Sequence, residues 1–223
     1  MLFLFLASLQ AMEPPSEITV MSLNIGHGRG SGRHQIVQST EHSTENLQRI
    51  ASVFEEINPD IVALQEVDLR SWWNGYHNQV SWLTEHSNLE YSILGSHTST
   101  RTLNYGSSLL SRRNFESGKS VAFEKYAPLP PKGFVHGTIP INEQTSVHVI
   151  SIHLDPLRVS VRRKQIETLK QHVERITDPL ILMGDLNMEW SLLLEELCEE
   201  LNLKAHQPLE QMVTFPKTQQ RLD

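Results

Sequence analysis

An α/β sandwich built from mixed sheets is the fold this sequence predicts. Strand and helix patterns alternate at both ends of the chain, and short hairpin-like strands fill the middle, which argues against a plain doubly wound sheet. The 223 residues are 39% hydrophobic and 20% charged, an ordinary globular composition, and the length suits one domain with a large core. No repeat, low-complexity tract or long linker divides them.

The opening stretch MLFLFLASLQA is too short to span a bilayer as a helix. It is similar to the apolar region of a secretory signal with Ala11 at the cleavage point, although a positive n-region is missing and Leu9 is a poor residue near the cut. The alternative is a buried N-terminal segment. Residues 1–12 are expected to be a signal peptide and residues 16–223 the domain. The protein is then secreted or periplasmic, and otherwise cytoplasmic.

ITVMSLN (Ile18 to Asn24) reads as a strand, broken by the Gly-rich GHGRGSG. Ser43 or Thr44 is expected to cap a helix with Leu47, Ile50, Val53, Phe54 and Ile57 on its apolar face, ended by Asn58-Pro59. DIVALQEV is a short apolar run, a buried strand finishing at Gln65 and Glu66. YHNQVSWLTEHSN reads as a helix. Strands follow at EYSILG, YGSSLLSR and near KSVAFEKY, then at GFVHGTIPI and TSVHVISIHL, a hairpin around Asn142, Glu143 and Gln144. A helix covers Val159 to Ile176, with Ile166, Leu169, Val173 and Ile176 facing in. After Asp178-Pro179 come the LILMGDLN strand and a helix over Trp190 to Leu201. Cys198, the single cysteine, lies on the apolar face of that helix and reads as a buried thiol; no internal disulfide can form.

Four apolar runs end in polar residues that a core does not need: Asn24, Glu66, His153 with Asp155, and Asp185 with Asn187. Each has an ordinary reading on its own, as a turn former, a surface-loop acid, a hydrogen-bonded histidine or a helix cap. Strand ends lying side by side in a sheet, however, collect their terminal residues into one site. If the strand continues through Asn187, alternation turns Asp185 and Asn187 to the same side with Leu186 toward the core. Phosphoester hydrolysis requires charge neutralisation at the phosphoryl oxygens and a positioned water. Glu66 suits a hard cation such as Mg²⁺, which takes few carboxylates. Asn24 and Asn187 can donate to phosphoryl oxygens without adding charge. Asp185 can orient the attacking water, and His153 can donate to a phosphoryl oxygen or a leaving group. Gly26, Gly28 and Gly30, with His27 and Arg29, form a candidate anion-receiving loop, and RVSVRRK (Arg158 to Lys164) reads as a solvated basic helix face.

MSLNIGHGRG, DIVALQEVD, YGSSLLSR, ISIHLDP, LILMGDLN and TFPKTQQRLD occur in this order and cover nearly the whole chain from Ile18. At these residues the sequence resembles the endonuclease/exonuclease/phosphatase superfamily. The resemblance implies a deoxyribonuclease-I-like four-layer sandwich of two packed mixed β-sheets with helices outside. It implies phosphoester cleavage by water, dependent on Mg²⁺ or Mn²⁺. Carried over by motif, Glu66 is the metal ligand and Asn24 helps order metal and phosphate. His153 contacts the phosphate, Asp185 positions the water and Asn187 stabilises the transition state. Asn104, just before YGSSLLSR, takes a phosphate-contacting place. The family pattern closes with a Ser-Asp-His segment beyond RLD. The sequence ends at Asp223, the Asp of that motif, so one or more C-terminal strands and a histidine partner for Asp223 are expected to be missing, and turnover to be weakened.

The net charge is −7, from 19 Lys and Arg against 26 Asp and Glu. Proteins that bind long duplex DNA electrostatically usually carry a basic excess. The sequence therefore favours a phosphodiesterase acting on a small or lipid-derived phosphodiester. The first rival is a nuclease acting on DNA or RNA, for which Trp72, Trp73 and Tyr76 are candidate walls. The second is a non-catalytic remnant that binds metal or phosphate without turnover.

Overall fold

Two parallel strand pairs organise the molecule, seen here in a computed structural model that describes residues 17–30, 32, 34–37, 39–142, 145–188 and 192–205. β1 (Val20–Asn24) passes through α1 (Thr40–Ile57) into β2 (Ile61–Asp68). After α2 (Gln79–Glu85) come β3 (Tyr91–Ser99), β4 (Asn104–Ser111), β5 (Ser117–Ala122) and β6 (Gly133–Pro140). β7 (Ser146–His153) then passes through α3 (Val159–Val173) into β8 (Leu180–Asp185), and α4 (Leu192–Glu200) follows. The two sheets have the orders β1-β2-β4-β3 and β5-β6-β7-β8. Each contains one parallel pair, with Asn24 opposite Gln65 in the first and His153 opposite Asp185 in the second. The other pairings are antiparallel, so both sheets are mixed.

Both faces of the central strands are covered, which is why they read as near-continuous apolar runs. Along β2, Ile61 and Ala63 point between the sheets and meet Leu109, Val135, Ile139, Val147 and Val149. Val62 and Leu64 point outward to Leu47 and Phe54 of α1 and Val80 and Leu83 of α2. On the second sheet Phe134, Ile150 and Ile152 pack outward against Ile166, Leu169 and Val173 of α3 and Leu193, Leu194 and Leu197 of α4. The layers are helix, sheet, sheet, helix. Each fully buried large apolar side chain, such as Phe54, Leu64 or Ile150, contributes about 1.5–3 kcal/mol.

Several elements depart from the sequence reading. The N-cap of α1 is Ser39, whose hydroxyl accepts from the His42 amide at 3.2 Å. Ser43 and Thr44 lie inside the helix, where Thr44 Oγ1 donates to the Thr40 carbonyl. The buried stripe of α1 is Leu47, Ala51 and Phe54, so Val53 and Ile57 are exposed on a helix that turns only a narrow face inward. α2 starts later than the helical pattern, at an Asn78 cap whose side chain accepts from Val80 and Ser81. α3 ends at Val173, and Ile176 packs against the same core from beyond the helix. Cys198 is only half-buried, and burial pushes its thiol pKa up. The signal segment, Trp190, Glu143, Gln144 and Asp223 with the expected loss of C-terminal strands all lie outside the described residues. No described helix is long and apolar enough to cross a membrane.

Candidate active site

The two βαβ units bring four residues together: Asn24, His153 and Asp185 close β1, β7 and β8, and Glu66 stands two residues before the end of β2. Asn24 Nδ2 donates to Asp185 Oδ2 at 2.8 Å and so bridges the two sheets. Its carbonyl oxygen accepts from the Gly26 amide at 2.9 Å and keeps a second lone pair. His153 is buried between two acids, its Nε2 at 3.6 Å from Asp185 and 4.0 Å from Glu66. Deeper between the sheets, Gln65 Nε2 donates to Ser151 Oγ at 3.1 Å, and that hydroxyl donates to the Leu64 carbonyl. These are buried polar groups that find each other across the sandwich.

Glu66 does not finish its strand. β2 runs on to Asp68, and Gln65 with Glu66 stands opposite the single residue Ser107. This bulge puts Glu66 in the left-handed region, at φ 52°. The extra residue is what turns Glu66 toward the site while Gln65 stays between the sheets. Asn187 is another left-handed residue, at φ 51°. It lies beyond the end of β8, so strand alternation is not what brings it to Asp185. A turn does so: Asp185 Oδ1 accepts from the Asn187 amide at 3.0 Å, and Asn187 Nδ2 donates to the Leu154 carbonyl at 3.0 Å. Gly184, at φ 142°, permits that exit, because a Cβ there would collide with the Ile152 carbonyl. His27, at φ 59°, is a third left-handed residue of the cluster, and such conformations concentrate at functional sites.

Glu66 is ringed by basic side chains. Lys132 Nζ lies 3.4 Å from Oε1, and Arg29 Nη1 and His27 Nε2 lie 3.6 and 3.8 Å from Oε2. Burial opposes ionisation of this carboxyl. Lys132, His153, His27 and Arg29 together outweigh it and hold the pKa at about 2. Burial acts the other way on His153: with the charge of Lys132 it pushes the imidazole pKa well below 6.5, although Glu66 pulls it upward.

The glycine loop departs from the anion-receiving arrangement. Its Gly26 amide bonds Asn24, its Gly28 and Arg29 amides bond loop carbonyls, and Asn46 and Gln79 clamp the Gly28 and His27 carbonyls. The loop presents the side chains of His27 and Arg29, not a nest of N–H groups. Asp155 is turned away from the site as well: its carboxylate accepts from the Leu157 and Arg158 amides at the start of α3. Asn104 stands at the same end of its sheet, with its carbonyl oxygen accepting from Ser96 Oγ at 2.6 Å. Among the described contacts, none joins its side chain to Glu66 or Asp185.

Two site residues carry no local signal in the sequence. Lys132 precedes β6 and reaches the site only because Gly133 pairs with His153. Asp68, fully buried, accepts from His27 Nδ1 at 3.2 Å, Trp73 Nε1 at 2.8 Å and Asn74 Nδ2 at 3.2 Å. It follows the apparent strand end, and only the bulge returns it inward.

The oxygen donors of the site are two carboxylates, Glu66 and Asp185, and the Asn24 side-chain carbonyl, with the imidazoles of His27 and His153 beside them. That set fits a hydrated hard cation such as Mg²⁺ or Mn²⁺. Among the described residues, no three or more His, Cys, Asp or Glu side chains form a metal cage. Lys132, Arg29 and the side-chain Nδ2 of Asn187 supply positive charge and donors for an anion, and His153 and Asp185 can handle a proton or a water.

The model of the Endonuclease/Exonuclease/phosphatase family matches residues 21–197. No curated protein sequence matches the chain. Among solved structures, an endonuclease/exonuclease/phosphatase family protein from Leptotrichia buccalis superposes with a TM-score of 0.61 at 17% identity, covering 82% of this chain and 73% of the other. Beta toxin from Staphylococcus aureus, solved with bound magnesium ions, gives 0.62 at 15% identity, covering 85% and 72%. D. rerio TDP2 complexed with single-strand DNA product gives 0.58 at 15% identity, covering 82% and 65%. At these identities the likenesses establish a shared deoxyribonuclease-I-like sandwich. The family match, which spans most of the chain and every described site residue, makes this chain a member of the endonuclease/exonuclease/phosphatase family.

Proposed function

We propose that the protein is a divalent-metal-dependent phosphodiesterase that cleaves its substrate with water. The observation that carries this is the meeting of Asn24, Glu66, His153 and Asp185 at the ends of two facing βαβ units. Glu66, with the Asn24 carbonyl, would hold Mg²⁺ or Mn²⁺, and the ion would supply charge neutralisation at the phosphoryl group. Asp185, fixed by Asn24 and Asn187, orients the attacking water. His153 donates to a phosphoryl oxygen or to the leaving group, and the Asn187 side chain, whose Nδ2 carries a second N–H besides the one given to Leu154, donates to charge developing in the transition state.

A small or lipid-derived phosphodiester is the favoured substrate class. The net charge of −7 supports it. So do two exposed apolar residues where the chain leaves β7 and enters α3, Leu157, at 70% exposure, in the loop and Val159 at the first position of the helix, which flank Arg158. A nuclease is the second reading. Exposed Trp72, which packs on Trp73 next to His27, and exposed Tyr76 in the same segment favour it, since bases stack on such surfaces. The structural neighbour with a DNA product adds support. The apolar opening MLFLFLASLQA supports export, and mass spectrometry of protein from its native cell should find an N-terminus near Ala11 to Glu13. An intact Met1 in the cytosol would refute that.

The test is hydrolysis of bis-p-nitrophenyl phosphate. EDTA should abolish it, Mg²⁺ or Mn²⁺ should restore it, and Glu66→Gln should lose the metal response. Full activity in chelator defeats the proposal. Greater metal-restored turnover on single-stranded DNA than on lipid phosphodiesters selects the nuclease.

A further inference from the structure

Lys132 lies against both Glu66 and His153, and the proposed reaction gives it no step. Its side chain is only 16% exposed, and its ammonium is 3.4 Å from Glu66 Oε1 and 3.4 Å from His153 Nδ1. Its place is built in. The Lys132 carbonyl accepts from the Phe123 amide at 2.9 Å, and the next residue, Gly133, pairs with Ala122 on one side and His153 on the other. Both contacts of the ammonium are longer than the 2.7–2.9 Å or so of a strong charge-assisted bond, and an ammonium carries three donors. The group is thus held near Glu66 without being locked to it.

We propose, on the reading of the site as a metal-dependent phosphoesterase, that Lys132 is the site's second cation: it competes with the divalent ion for Glu66 and contacts the phosphoryl oxygens of bound substrate. A carboxylate oxygen already facing an ammonium must share its charge with an incoming dication, and the two cations repel each other. An anion placed against both relieves that repulsion. Metal and phosphate therefore bind cooperatively, and the metal alone binds more weakly than Glu66 permits. Arg29 on Oε2 is less suited to this role, because it is half-exposed and does not reach His153 in the described contacts.

The experiment is calorimetric titration of the full chain with Mn²⁺ alone, then with inorganic phosphate at saturating Mn²⁺. Wild type is compared with Lys132→Gln, Lys132→Arg and Glu66→Gln, all checked for an unchanged melting temperature. Lys132→Gln should bind Mn²⁺ about tenfold more tightly and phosphate about tenfold more weakly, the scale expected from removing one charge a few ångströms from a dication. Lys132→Arg should keep phosphate binding close to wild type. A Lys132→Gln protein that binds Mn²⁺ no more tightly, or phosphate no more weakly, overturns the proposal while leaving the metal site standing. If wild type binds no Mn²⁺, or Glu66→Gln binds it equally well, the metal reading falls and this role for Lys132 falls with it. If Lys132→Gln alone fails to fold, the Lys132→Arg titration decides: loss of phosphate binding in that variant overturns the proposal, and retention supports it.

Discussion

Asp185 touches three parts of the site. It takes hydrogen bonds from Asn24 Nδ2 and the Asn187 amide, and His153 Nε2 lies 3.6 Å away. A residue that only shaped the turn would, when replaced, cost about 1 kcal/mol of stability and leave the chemistry alone, as a helix cap does. A residue that orients the water should cost about 10²-fold or more in rate. Asp185→Asn is therefore expected to melt near wild type and lose most turnover on bis-p-nitrophenyl phosphate. A lower melting temperature with an unchanged rate per folded molecule would assign Asp185 to structure alone. Glu66, His153 and Asp185 were legible in the sequence because a polar residue closing an apolar run stands out from a core pattern. Lys132 was not, because no periodicity marks a side chain whose position depends on Gly133 pairing with His153, twenty residues further on. The turn at Asn187 was also hidden, since a left-handed residue after Gly184 leaves the same letters as a continuing strand.

At the scale of elements, a chain of three imidazoles joins α3 to the outer face of its sheet. His136 of β6 bonds His172 of α3 at 2.9 Å through Nδ1 and His148 of β7 at 2.8 Å through Nε2, and His148 Nε2 faces Asp178 at 3.8 Å. Each neutral imidazole offers one donor and one acceptor, so the chain is satisfied without added protons. Burial, then the facing His172, His148 and Lys119, holds the His136 pKa down to about 4. The unfolded chain therefore binds more protons than the fold between pH 6.5 and about 4, and stability falls as pH drops through that window. The melting temperature should be level above it and decline within it, and His136→Gln should decline less steeply. Some decline must remain, because burial also lowers His97 to about 4. Equal slopes in the two proteins would show that His136 does not contribute. Most strands and helices were legible from period-2 and period-3.6 patterns. The bulge in β2 was not, because inserting one residue into a strand buried on both faces leaves the apolar run unchanged. The buried face of α1 was misjudged for a related reason: Ala51 fits closely against the sheet, whereas Val53 and Ile57 are apolar but sit at its margin.

For the whole molecule, facing two βαβ units across a sandwich makes one site from ends that are far apart in sequence. Asn24 and Asp185 are 161 residues apart and share a 2.8 Å hydrogen bond. The alternation of strands and helices at the chain's ends foretold both units, and the ordered motifs foretold that their ends would meet. Sheet order and register, which carry Lys132 and Asp68 into place, are long-range properties that local patterns do not encode. The central claim is that Asn24, Glu66, His153 and Asp185 form a single cation and phosphate site around Glu66. Crystals of the full chain soaked in Mn²⁺ and measured for anomalous scattering test it most directly. The account predicts a peak about 2.1 Å from a Glu66 carboxylate oxygen, on the side of Asn24 and Asp185. Its absence in Glu66→Gln crystals would complete the result. A peak confined to His136, His148 and His172, or no peak near Glu66 at saturating Mn²⁺, would contradict it.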